Sequence, residues 1–248
     1  MRKANGSDRA LRQLLAGAFL FFCTGASADQ PNLTKMVAGV AAESWPSGKV
    51  PAGSGFFVNP HGEILTAAHV VAGCRHITVR LSHSRKFDAT LIGVDTRLDV
   101  ALLQTAAKPH SFVKFADAGP LQSAPMTIVM RSAVTTHILH VPGRFLGKDE
   151  QGLMMIAAAL SPGASGAAVI DRRGNVVAYV IGRMRDQPGV ALAVSAGSLR
   201  ELLRYFATGS VALRSEAGAA RSAAPDLRPG DMDFAQPDAS VAVVECLS

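Results

Sequence analysis

Between residues 36 and 194 the apolar residues come in short runs, each closed by Gly, Pro, Asn, Asp or other turn formers. Runs of that length are strands rather than helices, and their regular spacing describes an all-β barrel or sandwich. One set covers 36–41, 55–58, 63–66, 76–81, 87–94 and 100–104. A polar linker with Pro109, Gly119 and Pro120 follows. A second set covers 126–130, 136–141, 153–158, 167–170, 176–181 and 190–194. The run His76-Ile-Thr-Val-Arg-Leu81 alternates as a half-buried strand should. One helix is expected over 199–207. Ser198-Leu-Arg-Glu201 reads as its capping box, and Leu199, Leu202, Leu203 and Phe206 share a face.

Within this β-rich stretch, Ser161-Pro-Gly-Ala-Ser165-Gly-Ala-Ala168 sets a serine in a tight turn just before an apolar run. A serine hydroxyl needs a base to become a useful nucleophile. All seven histidines precede Ser165. That excludes the α/β-hydrolase order, in which the histidine comes last. The subtilisin order needs an aspartate ahead of the histidine, and before His69 only Asp8 and Asp29 occur. The order His, Asp, Ser is what remains. His69 closes Thr66-Ala-Ala-His69, where a strand ends in a small-residue bend. Asp88, Asp95, Asp99, Asp117 and Asp149 lie between His69 and Ser165. Asp99 stands at the edge of the buried run Val100-Ala-Leu-Leu103, which suits an ionised, buried acid. Asp88 and Asp95, at the ends of an apolar run, stay open as competitors, and Asp117 and Asp149 fit solvated loops.

The motifs Gly53-Ser-Gly-Phe56, Thr66-Ala-Ala-His69, Asp99-Val-Ala-Leu-Leu103 and Gly163-Ala-Ser165-Gly resemble those of the trypsin-like serine proteases, in the style of the HtrA/DegP bacterial branch. The resemblance covers about residues 36–206. It implies two six-stranded antiparallel β-barrels, about 34–107 and about 120–195, with the active site in the cleft between them and a C-terminal helix. It implies His69, Asp99 and Ser165 as the triad and the amides of Gly163 and Ser165 as the oxyanion hole. The family pattern G-[ND]-S-G-G-P is altered here by Ala164, Ala167 and Ala168, which removes no reacting group. By the same resemblance the strand Gly189–Val194 lines the substrate pocket, through Ala191 and Ala193, together with Ala159. With no acid at Ala159, the expected cleavage preference is for small or medium apolar side chains. Hydrolysis is expected to rise with pH as the base becomes neutral. The alternative function is a catalytically weak module that binds exposed peptides.

The N-terminus reads as an export signal over residues 1–28. Arg2, Lys3, Arg9 and Arg12 precede an apolar core ending at Cys23, and Ala26-Ser-Ala28 supplies a cleavage pattern. Loss of those four basic residues and Asp8 takes the net charge from +6 to +3, too little to argue for nucleic acid or a membrane surface. The expected partners are polypeptide substrates, with no nucleic acid and no stable membrane association after cleavage. No cofactor and no metal is expected, since neither zinc-type Cys/His spacing nor H-E-x-x-H occurs. Export permits a disulfide between Cys74 and Cys246, and two free thiols are the other reading. The protease domain is set at 29–208. The segment 209–248, rich in Ala, Ser, Pro, Asp and Arg, reads as a largely disordered tail, with Val241-Ala-Val-Val able to dock as a strand. That tail is short for a domain with its own core, so no PDZ domain is expected.

Overall fold

A computed structural model describes residues 52–214 and 237–247, the side chains of 208–214 and 237 excepted. Twelve strands form two closed antiparallel barrels, with helices α1 (Ala68–Val71) and α2 (Ala196–Arg214). The strands are β1 (Ala52–Phe57), β2 (Glu63–Ala67), β3 (His76–Arg80), β4 (Lys86–Asp95), β5 (Val100–Thr105), β6 (Pro125–Arg131), β7 (Ile138–Lys148), β8 (Met154–Ala157), β9 (Ala168–Ile170), β10 (Val176–Arg183), β11 (Val190–Ser195) and β12 (Val241–Leu247). The first barrel runs β1-β12-β3-β4-β5-β2 and the second β10-β11-β8-β7-β6-β9. Closure leaves neither sheet with an open edge.

Alternation of side chains along the strands produces three apolar cores. Phe57, Ile64, Val79, Leu103 and Val244 fill the first barrel. Met126, Ile128, Met154, Ile156 and Val180 fill the second. The third lies between the barrels, where Phe56, Leu65 and Val100 meet Val129, Tyr179 and Val194. β1 is buried along its whole length, because one face looks into its own barrel and the other toward the second.

All six strands expected of the second half are present. The first barrel differs. Its sixth wall is β12, from the far end of the chain, paired from Ala52↔Glu245 to Phe56↔Val241 on one side and from Val243↔Arg80 to Leu247↔His76 on the other. The first barrel therefore draws its sixth strand from 241–247, within the segment read as a tail, and of the rest of that segment only 209–214 and 237–240 are among the described residues. Val241, Ala242, Val243 and Val244 are fully buried, and that burial draws the strand into the wall. Cys74 and Cys246 form a disulfide, with Cα atoms 5.3 Å apart. The expected strand at 36–41 and the signal segment 1–28 lie outside the described residues.

The helix also differs from expectation. It starts at Ala196, because the Ser195 hydroxyl accepts from the amide of Ser198 at 3.3 Å and caps the first turn. It continues to Arg214 through Gly209, since one interior glycine costs a helix only about 1 kcal/mol. Leu199, Leu202 and Phe206 do share its buried face and pack into the inter-barrel core.

Candidate active site

β2 delivers the chain to α1, where Ala67 and Ala68 are small enough to turn against the barrel wall. His69 follows on the surface of that turn. Asp99 stands just before β5, with a left-handed φ of 53° and only 8% exposure. Its carboxylate takes His69 with both oxygens. Oδ1 accepts from the His69 backbone amide at 2.9 Å, and Oδ2 lies 2.6 Å from Nδ1. An ionised carboxylate only accepts, so Nδ1 donates and Nε2 is the basic nitrogen of the neutral ring. The Asp99 carbonyl in turn accepts from the amide of Ala68 at 2.9 Å and from the hydroxyl of Tyr179.

The competing aspartates have other work. Asp95 builds its own turn, accepting from the amides of Arg97 and Leu98 at 2.8 and 3.1 Å. Asp88 pairs with His76 at 3.0 Å on the surface. Asp149 accepts from Gln151 and Leu153 within a turn, and Asp117 is exposed.

Ser165 lies between β8 and β9 in a turn with positive φ at Gly163 (90°) and Gly166 (88°). Its Oγ is 3.5 Å from the carbonyl of Ile181. Its amide has no acceptor among the described residues. Ser54 of β1 binds this turn twice. Its Oγ donates to the Gly163 carbonyl at 2.7 Å and its amide to the Ser165 carbonyl at 2.7 Å. The Ser54 carbonyl accepts from Thr66 Oγ1 at 2.8 Å, two residues before α1. A methyl built on Gly53 would meet Val70 at 2.6 Å and the Ser165 carbonyl at 2.9 Å, so the serine turn and the histidine turn close on the same point of β1. Ala164 and Ala167 place their methyls in the core of the second barrel, which accommodates the altered motif.

The three alanines expected around a pocket differ in their surroundings. Ala159 is exposed, whereas Ala191 and Ala193 are fully buried on the inner face of β11, packed in the barrel core. A cavity of about 520 Å³ lies elsewhere, between residues 116–120 and the start of α2, bordered by Phe145, Lys148 and Arg200. Among the described residues no three His, Cys, Asp or Glu side chains are grouped to hold a metal. Ser54 and Tyr179 were not legible as site residues. In the sequence Ser54 is only part of Gly53-Ser-Gly-Phe56, and Tyr179 reads as one more apolar residue of a strand.

The family model described as trypsin-like peptidase domain matches residues 53–178, which takes in β1, α1, Asp99, the Ser165 turn and Ala178 of β10. The chain belongs to the trypsin-like peptidase family. A probable periplasmic serine endoprotease DegP-like of Pseudomonas putida (strain GB-1) is 36% identical over 132 residues, 50% of this chain and 28% of its own. A probable periplasmic serine protease do/HhoA-like of Haemophilus influenzae is 30% identical over 169 residues, 62% of this chain and 36% of its own. This trypsin-like chain thus matches only about a third of the length of those relatives. Among solved structures, the Rv3671c protease from M. tuberculosis in its active form aligns with a TM-score of 0.55 at 27% identity, over 61% of this chain and 72% of that one.

Proposed function

We propose that this trypsin-like chain is an exported serine endopeptidase, cleaving peptide bonds with Ser165 as nucleophile, His69 as base and Asp99 as its orienting acid. The reading rests on the two-point contact of Asp99 with His69, beside a serine turn bolted to the same strand. His69 Nε2 takes the serine proton and later returns it to the leaving amine, while Asp99 keeps the ring in one tautomer and stabilises the imidazolium. The amides of Gly163 and Ser165 are the oxyanion donors, each worth about 3 kcal/mol in the transition state. Polypeptides are the substrates. The absence of any acid between Gln151 and Ile170 supports an apolar rather than a basic cleavage preference. The similarity to relatives described as periplasmic and the N-terminal signal pattern support the periplasm as its compartment.

The test is labelling by a fluorophosphonate probe. Labelling that is lost in Ser165→Ala supports the enzyme. A folded wild type that stays unlabelled overturns it and leaves a peptide-binding module.

A further inference from the structure

We infer that Tyr179, on the second barrel, is a positioning residue that holds the first barrel's acid, Asp99, in register with His69. The inference rests on the endopeptidase reading above. Tyr179 sits in the middle of β10, paired with Ala168 of β9 and Val194 of β11, and is fully buried. Its hydroxyl crosses the inter-barrel core and donates to the main-chain carbonyl of Asp99. Burial, helped by the nearby Asp99 charge, holds the phenol well above its ordinary pKa, so it remains a neutral donor across any workable pH.

Asp99 needs such a holder. Its φ of 53° lies in the left-handed region, which costs a residue other than glycine free energy, less for Asp than for most, and which the bonds around it offset. On the first barrel those bonds come from the amides of Ala68 and His69, both from the short α1 turn. Tyr179 is the hydrogen-bond contact to Asp99 contributed by the second barrel, which also carries Ser165. The acid is thus held from two sides, by the α1 amides next to His69 and by the barrel that carries Ser165, and this two-sided hold fixes its carboxylate at 2.6 Å from His69 Nδ1.

Tyr179→Phe removes only the hydroxyl. The Asp99 carbonyl keeps the Ala68 amide, so no buried acceptor is orphaned and the fold should survive. The experiment follows fluorophosphonate labelling and peptide hydrolysis of the wild type, Y179F, Asp99→Asn and the double variant. The labelling endpoint counts competent folded molecules, and the rate constant reports activation of Ser165. We expect Y179F to reach the wild-type endpoint at a rate lower by at least about tenfold, with kcat reduced and KM unchanged. In the Asp99→Asn background Y179F should have no further effect, the non-additivity of two residues acting through one contact. An unchanged rate in Y179F, or the same fractional loss in both backgrounds, overturns the assignment. A reduced endpoint at wild-type rate does so too, since it assigns Tyr179 to stability alone. An unlabelled wild type instead overturns the endopeptidase reading and this inference with it.

Discussion

Ser54 joins the halves of the site through three bonds from one residue, two to the serine turn and one from Thr66. Ser54→Ala strips the Gly163 carbonyl of its hydroxyl donor, at a cost of about 1–2 kcal/mol. Slower probe labelling of Ser165 with a small fall in melting temperature is the expected result. Gly166 is the tighter constraint. A methyl there would lie 2.0 Å from the Ser54 carbonyl, on a backbone with φ of 88°. Gly166→Ala should therefore cost at least about 2 kcal/mol from left-handed strain and displaced backbone together. That corresponds to a melting temperature lower by roughly 4–8 °C, read by calorimetry. Gly73 has a similar φ of 73° but nothing within 4 Å of an added methyl. Gly73→Ala should cost the strain alone, about 1–2 kcal/mol.

Among the elements, β12 is held by charge as well as by burial. Glu245 takes Arg80 at 2.8 Å and Lys86 at 3.0 Å, with Thr78 Oγ1 at 3.2 Å. Burial pushes its carboxyl up, but Lys86 and Arg80 outweigh that and hold it below the ordinary value of 4.5. A carboxyl whose pKa is lower folded than unfolded stabilises the fold above the unfolded value, and the gain is lost as pH falls through the folded one. Thermal melts of wild type and Glu245→Gln should thus differ at neutral pH, and the difference should start to shrink as pH falls below about 4.5. How far this element was readable shows where sequence patterns stop. The second barrel is contiguous in the chain, so its strands announce themselves by local run length. An apolar run is the only local signal for the strand between β1 and β3, and 36–41 carries such a run close at hand. Strand pairing is decided by distant partners, which local pattern does not carry. The Cys74–Cys246 pairing was open for the same reason, and so was the buried donor on Tyr179. The acid was more accessible, because Asp99 adjoins a strand whose apolar run marks it as buried.

At the scale of the whole molecule, β12 and the disulfide tie the last described residues to the turn that follows His69. Deleting 237–248 would open the first barrel and expose the apolar faces of β1 and β3. The expected outcome is a large loss of melting temperature and of Ser165 labelling, not a neutral truncation. The disulfide closes a loop of sequence separation 172, which the chain-entropy account values at about 5 kcal/mol. Cys246→Ser, or reduction of the wild type, should lower stability by roughly 2–5 kcal/mol in denaturant titrations. The same topology sets an order in time. Translation reaches β12 after every other described strand, and until then β1 and β3 present unpaired edges. The ribosome thus finishes the second barrel before the chain can finish the first, and the barrel that carries His69 and Asp99 is the last to be closed.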